Sequence, residues 1–99
     1  MNRYLHLGDL LAFREYSSER LGGWLKAVDS VWAAHIEAAA WRRNETLSQF
    51  VRIAVSDFVA EAGEEDWASL ISAARDSNDP AARCLRAIIA FRVELEREA

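Results

Sequence analysis

The sequence predicts a mainly α-helical protein, and three observations lead to this fold class. Only four Gly and one Pro occur in 99 residues, while Ala, Leu, Glu and Arg dominate the later two thirds, a composition that favours helix over strand. Apolar residues recur on one helical face in the segment after Thr46. Helix-capping residues stand at Asp29, Thr46 and Asp79. A chain of this length is one domain, 1–99, whose modest core leaves apolar surface for a partner.

The N-terminal residues, 1–22, are interpreted as a helical extension of the domain. Gly8 and Asp9 offer a cap for a short helix over residues 10–16. Its apolar members predict that this helix docks on the rest of the chain.

The pair Gly22-Gly23 leaves two interpretations of the next segment open, since glycine weakens both helix and strand interiors. If the pair interrupts the helical pattern, residues 24–28 form a short strand and a separate helix covers 30–43. The protein then contains at most this one strand. If it does not, one long helix runs over 19–43 and the protein is an entirely α-helical bundle.

The most regular helical pattern begins at Thr46. This residue is an N-cap with Gln49 three positions on, the pattern of a capping box. The helix that follows carries an unbroken apolar stripe, formed by Leu47, Phe50, Val51, Ala54, Val55, Phe58, Val59 and Ala62. In the preceding helix Trp41 lies nine positions after Trp32, about half a turn round the axis at roughly 3.6 residues per turn. We therefore expect one of the two indoles to be exposed or at an interface.

Two further helices are predicted in residues 64–99. Acidic residues suit the start of the first helix, which Gly63 precedes. Asp79 as N-cap and Pro80 at the first helical position begin the last helix. Its apolar residues cover more than one stripe, which predicts contact on two sides.

Composition and motifs exclude several functions. A net charge of −4 argues against nonspecific coating of nucleic acid. The single Cys84 can form no internal disulfide, and no apolar run reaches membrane-spanning length, so a cytoplasmic protein without membrane contact is expected. His6 and His35 lack the neighbours of a metal site, and no phosphate loop or nucleophile motif occurs. We expect no catalytic residue, metal, cofactor or small-molecule substrate, and hence no enzyme.

The segment NETLSQFVRIAV resembles the second helix of ribbon-helix-helix DNA-binding proteins, through Asn44, Thr46, Ser48, Phe50-Val51, Arg52 and Ala54. The preceding HIEAAAWRR is similar to the family's first helix, particularly in antitoxins that partner acetyltransferase-type toxins. The resemblance covers about a third of the chain, within residues 24–62, and makes 23–63 the core of the domain.

The resemblance implies a homodimer in which one strand of each subunit pairs into a ribbon that enters the major groove of duplex DNA. Amides at the start of the second helix would hold a phosphate. The implied DNA-binding residues are Lys26, Arg42, Arg43, Thr46, Leu47 and Ser48. The implied dimer or partner interface consists of Trp24, Val28, Trp32, Ile36, Phe50, Val51, Ala54 and Phe58. Arg42 and Arg43 have a second interpretation, as complements of their helix's C-terminal dipole.

The ribbon is the point at which this sequence departs from the family. With Trp24, Lys26 and Val28 inward, the outward residues of a strand over 24–28 lack the charged or hydrogen-bonding groups that base readout needs. Either the register is shifted by one residue, which puts Lys26 outward, or the protein is a variant that does not read DNA with a ribbon. Two functions therefore stay open. The first is a DNA-binding transcriptional regulator, such as the antitoxin of a toxin–antitoxin pair. The second is a small acidic all-helical module, an inhibitor or adaptor, that binds another protein and no DNA.

Overall fold

Five α-helices and a short 3-10 helix make up the described part of the chain. The structure, a computed structural model, describes residues 12–98. The 3-10 helix is Ala12–Glu15, and the α-helices are α1 (Ser18–Val28), α2 (Ser30–Arg42), α3 (Leu47–Glu61), α4 (Glu64–Arg75) and α5 (Pro80–Glu98). The mainly α fold class is confirmed, and residues 12–98 contain no strand. Of the helix expected over 10–16, only its 3-10 part can be compared, because residues 1–11 lie outside the described range.

The short strand expected over 24–28 is wrong, because this stretch is the second half of α1. Leu21 and Leu25 lie one helical turn apart and are both fully buried, so a helix here anchors two side chains in the core. Gly22 is buried beside α3, where a Cβ atom would lie 3.7 Å from the side chain of Leu47. The burial of the two leucines outweighs the roughly 1 kcal/mol by which each glycine disfavours a helix.

The long helix expected over 19–43 does not form either, because Asp29 divides it. The backbone of Asp29 is extended, with φ −164° and ψ 104°, and its N–H donates to Leu25 as the last bond of α1. Its carboxylate accepts from the amides of Val31 and Trp32 at 3.1 and 3.0 Å, which caps α2. One residue therefore ends one helix and begins the next.

The turn between α2 and α3 forms as the local signals predict. Asn44 adopts a left-handed conformation, φ 57°, which asparagine tolerates better than most residues. Thr46 then caps α3 by accepting from the amide of Gln49 at 3.1 Å. The Gln49 side chain accepts from the amide of Thr46 at 2.8 Å, so the expected capping box is confirmed.

Helix α3 is the centre of the fold. It packs against α1, α2, α5 and the 3-10 helix, and five of its side chains are buried: Phe50, Val51, Ala54, Val55 and Phe58. Toward its C-terminal end, the ring of Phe58 meets Trp67 of α4 and Phe91 of α5 edge-on, with centroids 4.8 and 5.1 Å apart. These aromatic contacts attach the C-terminal helices to the core.

The last two helices form an antiparallel hairpin. Residues 76–79 connect α4 to α5, and the two helices pack against each other along their length. Asp79 caps α5 by accepting from the amide of Ala82 at 3.2 Å, as the sequence predicts. Within residues 12–98, no helix combines the length and the hydropathy needed to cross a bilayer.

Candidate interaction site

The start of α3, to which the resemblance assigned a phosphate, is bonded within the chain. The amide of Thr46 donates to Gln49, and the amide of Ser48 donates to the hydroxyl of Ser18 at 2.9 Å. The Ser48 hydroxyl donates to the carbonyl of Tyr16 at 3.1 Å. Leu47 packs against the core. These residues fasten α1 to α3, and two of the three implied phosphate donors already have acceptors.

The basic residues of the implied DNA surface have separate surroundings. Arg43 donates to Glu96 at 2.7 Å and to the carbonyl of Ala39 at 2.8 Å. Lys26 lies 4.0 Å from Glu37, in an exposed ion pair. Arg42 is exposed in the last turn of α2, where it complements the helix dipole. Two of the three cations, Arg43 and Lys26, thus contact carboxylates of the same chain. Contact of the three cations with DNA stays a prediction.

Most residues of the implied dimer interface lie inside a single chain. The buried ones are Ile36, Phe50, Val51, Ala54 and Phe58. Trp24, Val28 and Trp32 are half-buried, and the guanidinium of Arg86 lies 4.1 Å over the ring of Trp32. The five buried side chains therefore belong to the core, and Trp24 and Trp32 pack against it, whereas the resemblance placed them between two chains.

Arg92 of α5 is the buried centre of an ionic cluster that the sequence interpretation missed. It is only 3% exposed, and its two terminal nitrogens donate to the carboxylate of Glu45 at 2.8 and 2.7 Å. It also donates to Glu96 at 3.2 Å and to the carbonyl of Phe50 at 3.1 Å. Arg43 completes the cluster through Glu96. Two cations and two anions thus join the α2–α3 turn to the C-terminal half of α5.

Contacts within the cluster shift the pKa of two of its members, Arg92 and Glu96. Desolvation works to lower the pKa of Arg92, but hydrogen bonds and charges from Glu45 and Glu96 outweigh it and raise that pKa. The hydrogen bond from Arg43 holds the pKa of Glu96 below its ordinary value. Nearby, desolvation raises the pKa of the Asp57 carboxyl. Both shifts favour the charged form, of Arg92 and of Glu96, which suits a structural role.

Asp29 at the α1–α2 junction has a second set of partners. The hydrogen bond from the backbone amide of Trp32 is the largest cause that lowers the pKa of the Asp29 carboxyl. The hydrogen bond from the side chain of Arg86 is the second. The Nη2 atom of Arg86 lies 2.8 Å from Oδ2 of Asp29, and this ion pair connects the junction to α5. The sequence indicated that Asp29 is an N-cap. It gave no signal that the same carboxylate would also pair with Arg86, 57 residues away.

An open groove of about 580 Å³ runs between α4 and α5. Its floor is apolar, and three of the floor residues are small alanines. The floor consists of Phe58, Leu70, Ala73, Ala87, Ala90 and Phe91. Phe58 belongs to the central helix, so the groove reaches down to the core. The volume lies in the range of ligand sites, about 300–1,000 Å³.

The two ends of the groove carry opposite charge. Arg83 and Arg86 line it near the start of α5, and Asp66 and Glu94 line it at the other end. Asp66 also accepts from the amide of Gly63 at 2.9 Å, so its position is held by the helix start. Sequence reasoning assigned the acidic start of α4 to capping, which is confirmed, but it did not detect the groove, because the groove depends on how two helices meet.

A second apolar feature lies on the outer face of α2. Trp41 is 82% exposed and Val31 is 65% exposed, with the exposed Ala34 and Ala38 between them. Trp32, by contrast, is half-buried, so the expectation that the two indoles have different surroundings is confirmed. No group of three His, Cys, Asp or Glu suited to a metal ion occurs within residues 12–98.

Comparisons with known proteins return no relative of this chain. No family model matches the sequence. No curated protein and no solved structure matches it either. The candidate site therefore stands on its own geometry.

Proposed function

We propose that this protein is a small acidic protein-interaction module that receives a segment of another protein in the α4–α5 groove. The observation that carries the proposal is the groove itself, an open apolar channel that lies between ends of opposite charge. Apolar surface of this kind, bordered by polar residues, is typical of protein contact sites. We also place the module in the cytoplasm, in keeping with a chain that has a single Cys.

DNA binding by a ribbon-helix-helix dimer is supported less well. Residues 24–28 are helical, so no ribbon is available there, and the amides of Thr46 and Ser48 are bonded within the chain. The net charge of −4 adds no general attraction to phosphate. A transcriptional regulator or antitoxin would therefore need a different DNA-binding surface.

Site-specific photo-crosslinking in the protein's native cells tests the proposal. A photoreactive amino acid is placed at position 90 in the groove, and the matched control carries it at position 81, an exposed alanine of the same helix outside the groove. We expect position 90 to capture a defined protein that position 81 does not. Equal capture at the two positions, or none, contradicts the proposal.

Fluorescence anisotropy with labelled duplex DNA at low salt separates the two functions. The interaction module should leave the anisotropy unchanged. Binding that weakens steeply as salt rises would instead support the regulator, because release of counterions from phosphates produces that dependence.

A further inference from the structure

We propose that the occupant of the α4–α5 groove is an amphipathic helix of about three turns, acidic at its N-terminal end and basic at its C-terminal end. This inference rests on the proposed function and adds the class of partner segment. Three features of the groove lead to it: its helical walls, its floor and the order of its charges.

The walls of the groove favour a helical occupant over an extended one. Both walls are α-helices, α4 and α5, whose backbone groups are hydrogen-bonded within each helix. A β-strand gains affinity by pairing its amides and carbonyls with a sheet edge, and these walls offer none. A helix satisfies its backbone internally and contributes side chains alone, so it loses no hydrogen bonds on docking.

The floor has space for large apolar side chains. Ala73 of α4 and Ala87 and Ala90 of α5 are small, while Phe58 and Phe91 form the larger surfaces beside them. Small residues let a third helix approach the hairpin closely, and large side chains of that helix can fill the space above the alanines. Leucine-sized residues on one face of the occupant suit this floor.

The charges are ordered along one line of α5. Arg83, Ala87, Ala90 and Glu94 follow one another at spacings of four, three and four residues, so they share a face of the helix. At about 1.5 Å per residue, Arg83 and Glu94 are roughly 16 Å apart along the axis. An occupant beside α5 would span about the same three turns.

The same charges set the direction of the occupant. A short helix is stabilised by acidic residues in its first turn and basic residues in its last turn. Placing the acidic end at Arg83 and the basic end at Glu94 satisfies both the occupant's dipole and the groove, so the occupant runs parallel to α5. Among residues 12–98, the Arg83 guanidinium has no hydrogen-bond or ion-pair partner, and Glu94 has only an exposed contact of 3.8 Å with Arg97. Both side chains are therefore available.

A pair of synthetic peptides tests the opposite charges of the two ends. The first repeats the spacing of the α5 line as Glu-x-x-x-Leu-x-x-Leu-x-x-x-Lys within a labelled, Ala-rich helix of about 16 residues. The second has Glu at both charged positions and keeps everything else. Anisotropy at low salt should show the first peptide binding about tenfold more tightly, because it forms two exposed ion pairs, whereas the second, docked in either direction, forms one pair and places one Glu against Glu94.

Variants of the protein make the test specific. The substitution Glu94→Lys makes both ends of the groove basic and should reverse the peptide preference, because the peptide with two Glu then forms both ion pairs. Ala90→Trp fills the floor and should abolish binding of both peptides, while Ala81→Trp, on the same helix outside the groove, should leave it unchanged. Circular dichroism melts of each variant confirm that the fold is retained.

Several outcomes would overturn the inference, and they are distinct from failure of the proposed function. Equal affinity for the two peptides, or a preference that Glu94→Lys leaves unchanged, would show that the charges do not select the occupant. Capture of a protein at position 90 without binding of either peptide would exclude this class of helix and leave the module intact. Self-association that Ala90→Trp abolishes would assign the groove to a second copy of the chain. If neither capture nor peptide binding occurs, the proposed function fails as well.

Discussion

Removing Arg92 should destabilise the fold more than any other change to a charged residue discussed above. Arg92→Met keeps an apolar stem in place but removes the guanidinium that pairs with Glu45 and Glu96. The carboxylate of Glu45, whose side chain is 17% exposed, would then lie largely buried without its cation. The α2–α3 turn would lose its main attachment to α5.

The expected loss is about 3 kcal/mol. Breaking a buried ion pair by removing one partner costs about 3–5 kcal/mol, and the partial exposure of Glu45 places this case at the lower end. Urea unfolding followed by circular dichroism measures it. For an m value of about 2 kcal/mol per molar urea, the midpoint should fall by about 1.5 M.

A second variant separates the lost pair from the lost packing. Arg92→Met combined with Glu45→Met removes both charges, and the double variant should recover about 2 kcal/mol relative to the sum of the single losses. Arg97→Met is the matched control, an exposed arginine of the same helix whose ion pair should contribute less than about 1 kcal/mol. A loss below about 1 kcal/mol for Arg92→Met, or strict additivity in the double variant, would refute the assignment of a buried, coupled pair.

Three other predictions concern pH, capping and the glycine pair. Glu96 and Asp29 both have a folded pKa below the ordinary value, so their stabilisation is complete at neutral pH and begins to be lost as pH falls below about 4.5 for Glu96 and about 3.8 for Asp29. Glu96→Gln should flatten the Glu96 part of that decline in urea titrations run between about pH 3 and 6. Thr46→Ala should cost about 1 kcal/mol in thermal unfolding, since it removes the α3 cap, and no loss would mean that the capping box contributes nothing. Gly23→Ala should raise the free energy of unfolding by about 0.5–1 kcal/mol, because alanine favours a helix over glycine and the added Cβ would have no other atom within 4 Å. A lower stability would contradict the helical assignment of that residue.

The starts of three helices could be predicted because each start depends on residues within one turn. Thr46 and Gln49 form their capping box, and Asp79 with Pro80 begins α5 where expected. Asp29 also caps α2 as expected, although its role as the end of α1 depends on the helical state of the residues before it. Local hydrogen bonds of this kind do not need the rest of the fold.

The segment around Gly22-Gly23 could not be resolved from local signals. Its propensity disfavours helix and strand alike, so the outcome depended on burial of Leu21 and Leu25 against other helices. The resemblance to a ribbon-helix-helix core had the same limit. Its helical part matches α2 and the start of α3, whereas the ribbon required a strand that the tertiary contacts do not form.

The sequence by itself determined the fold class, the helix starts at Asp29, Thr46 and Asp79, and the different surroundings of the two α2 tryptophans, because periodicity and capping act over a few residues. Tertiary structure alone decided that Arg92 is buried, since its partner Glu45 lies 47 positions earlier in the chain. It also decided that α4 and α5 enclose an apolar groove with a positive and a negative end. The physical reason is that burial, ion pairing and cavities arise between helices, and their geometry depends on how whole helices pack.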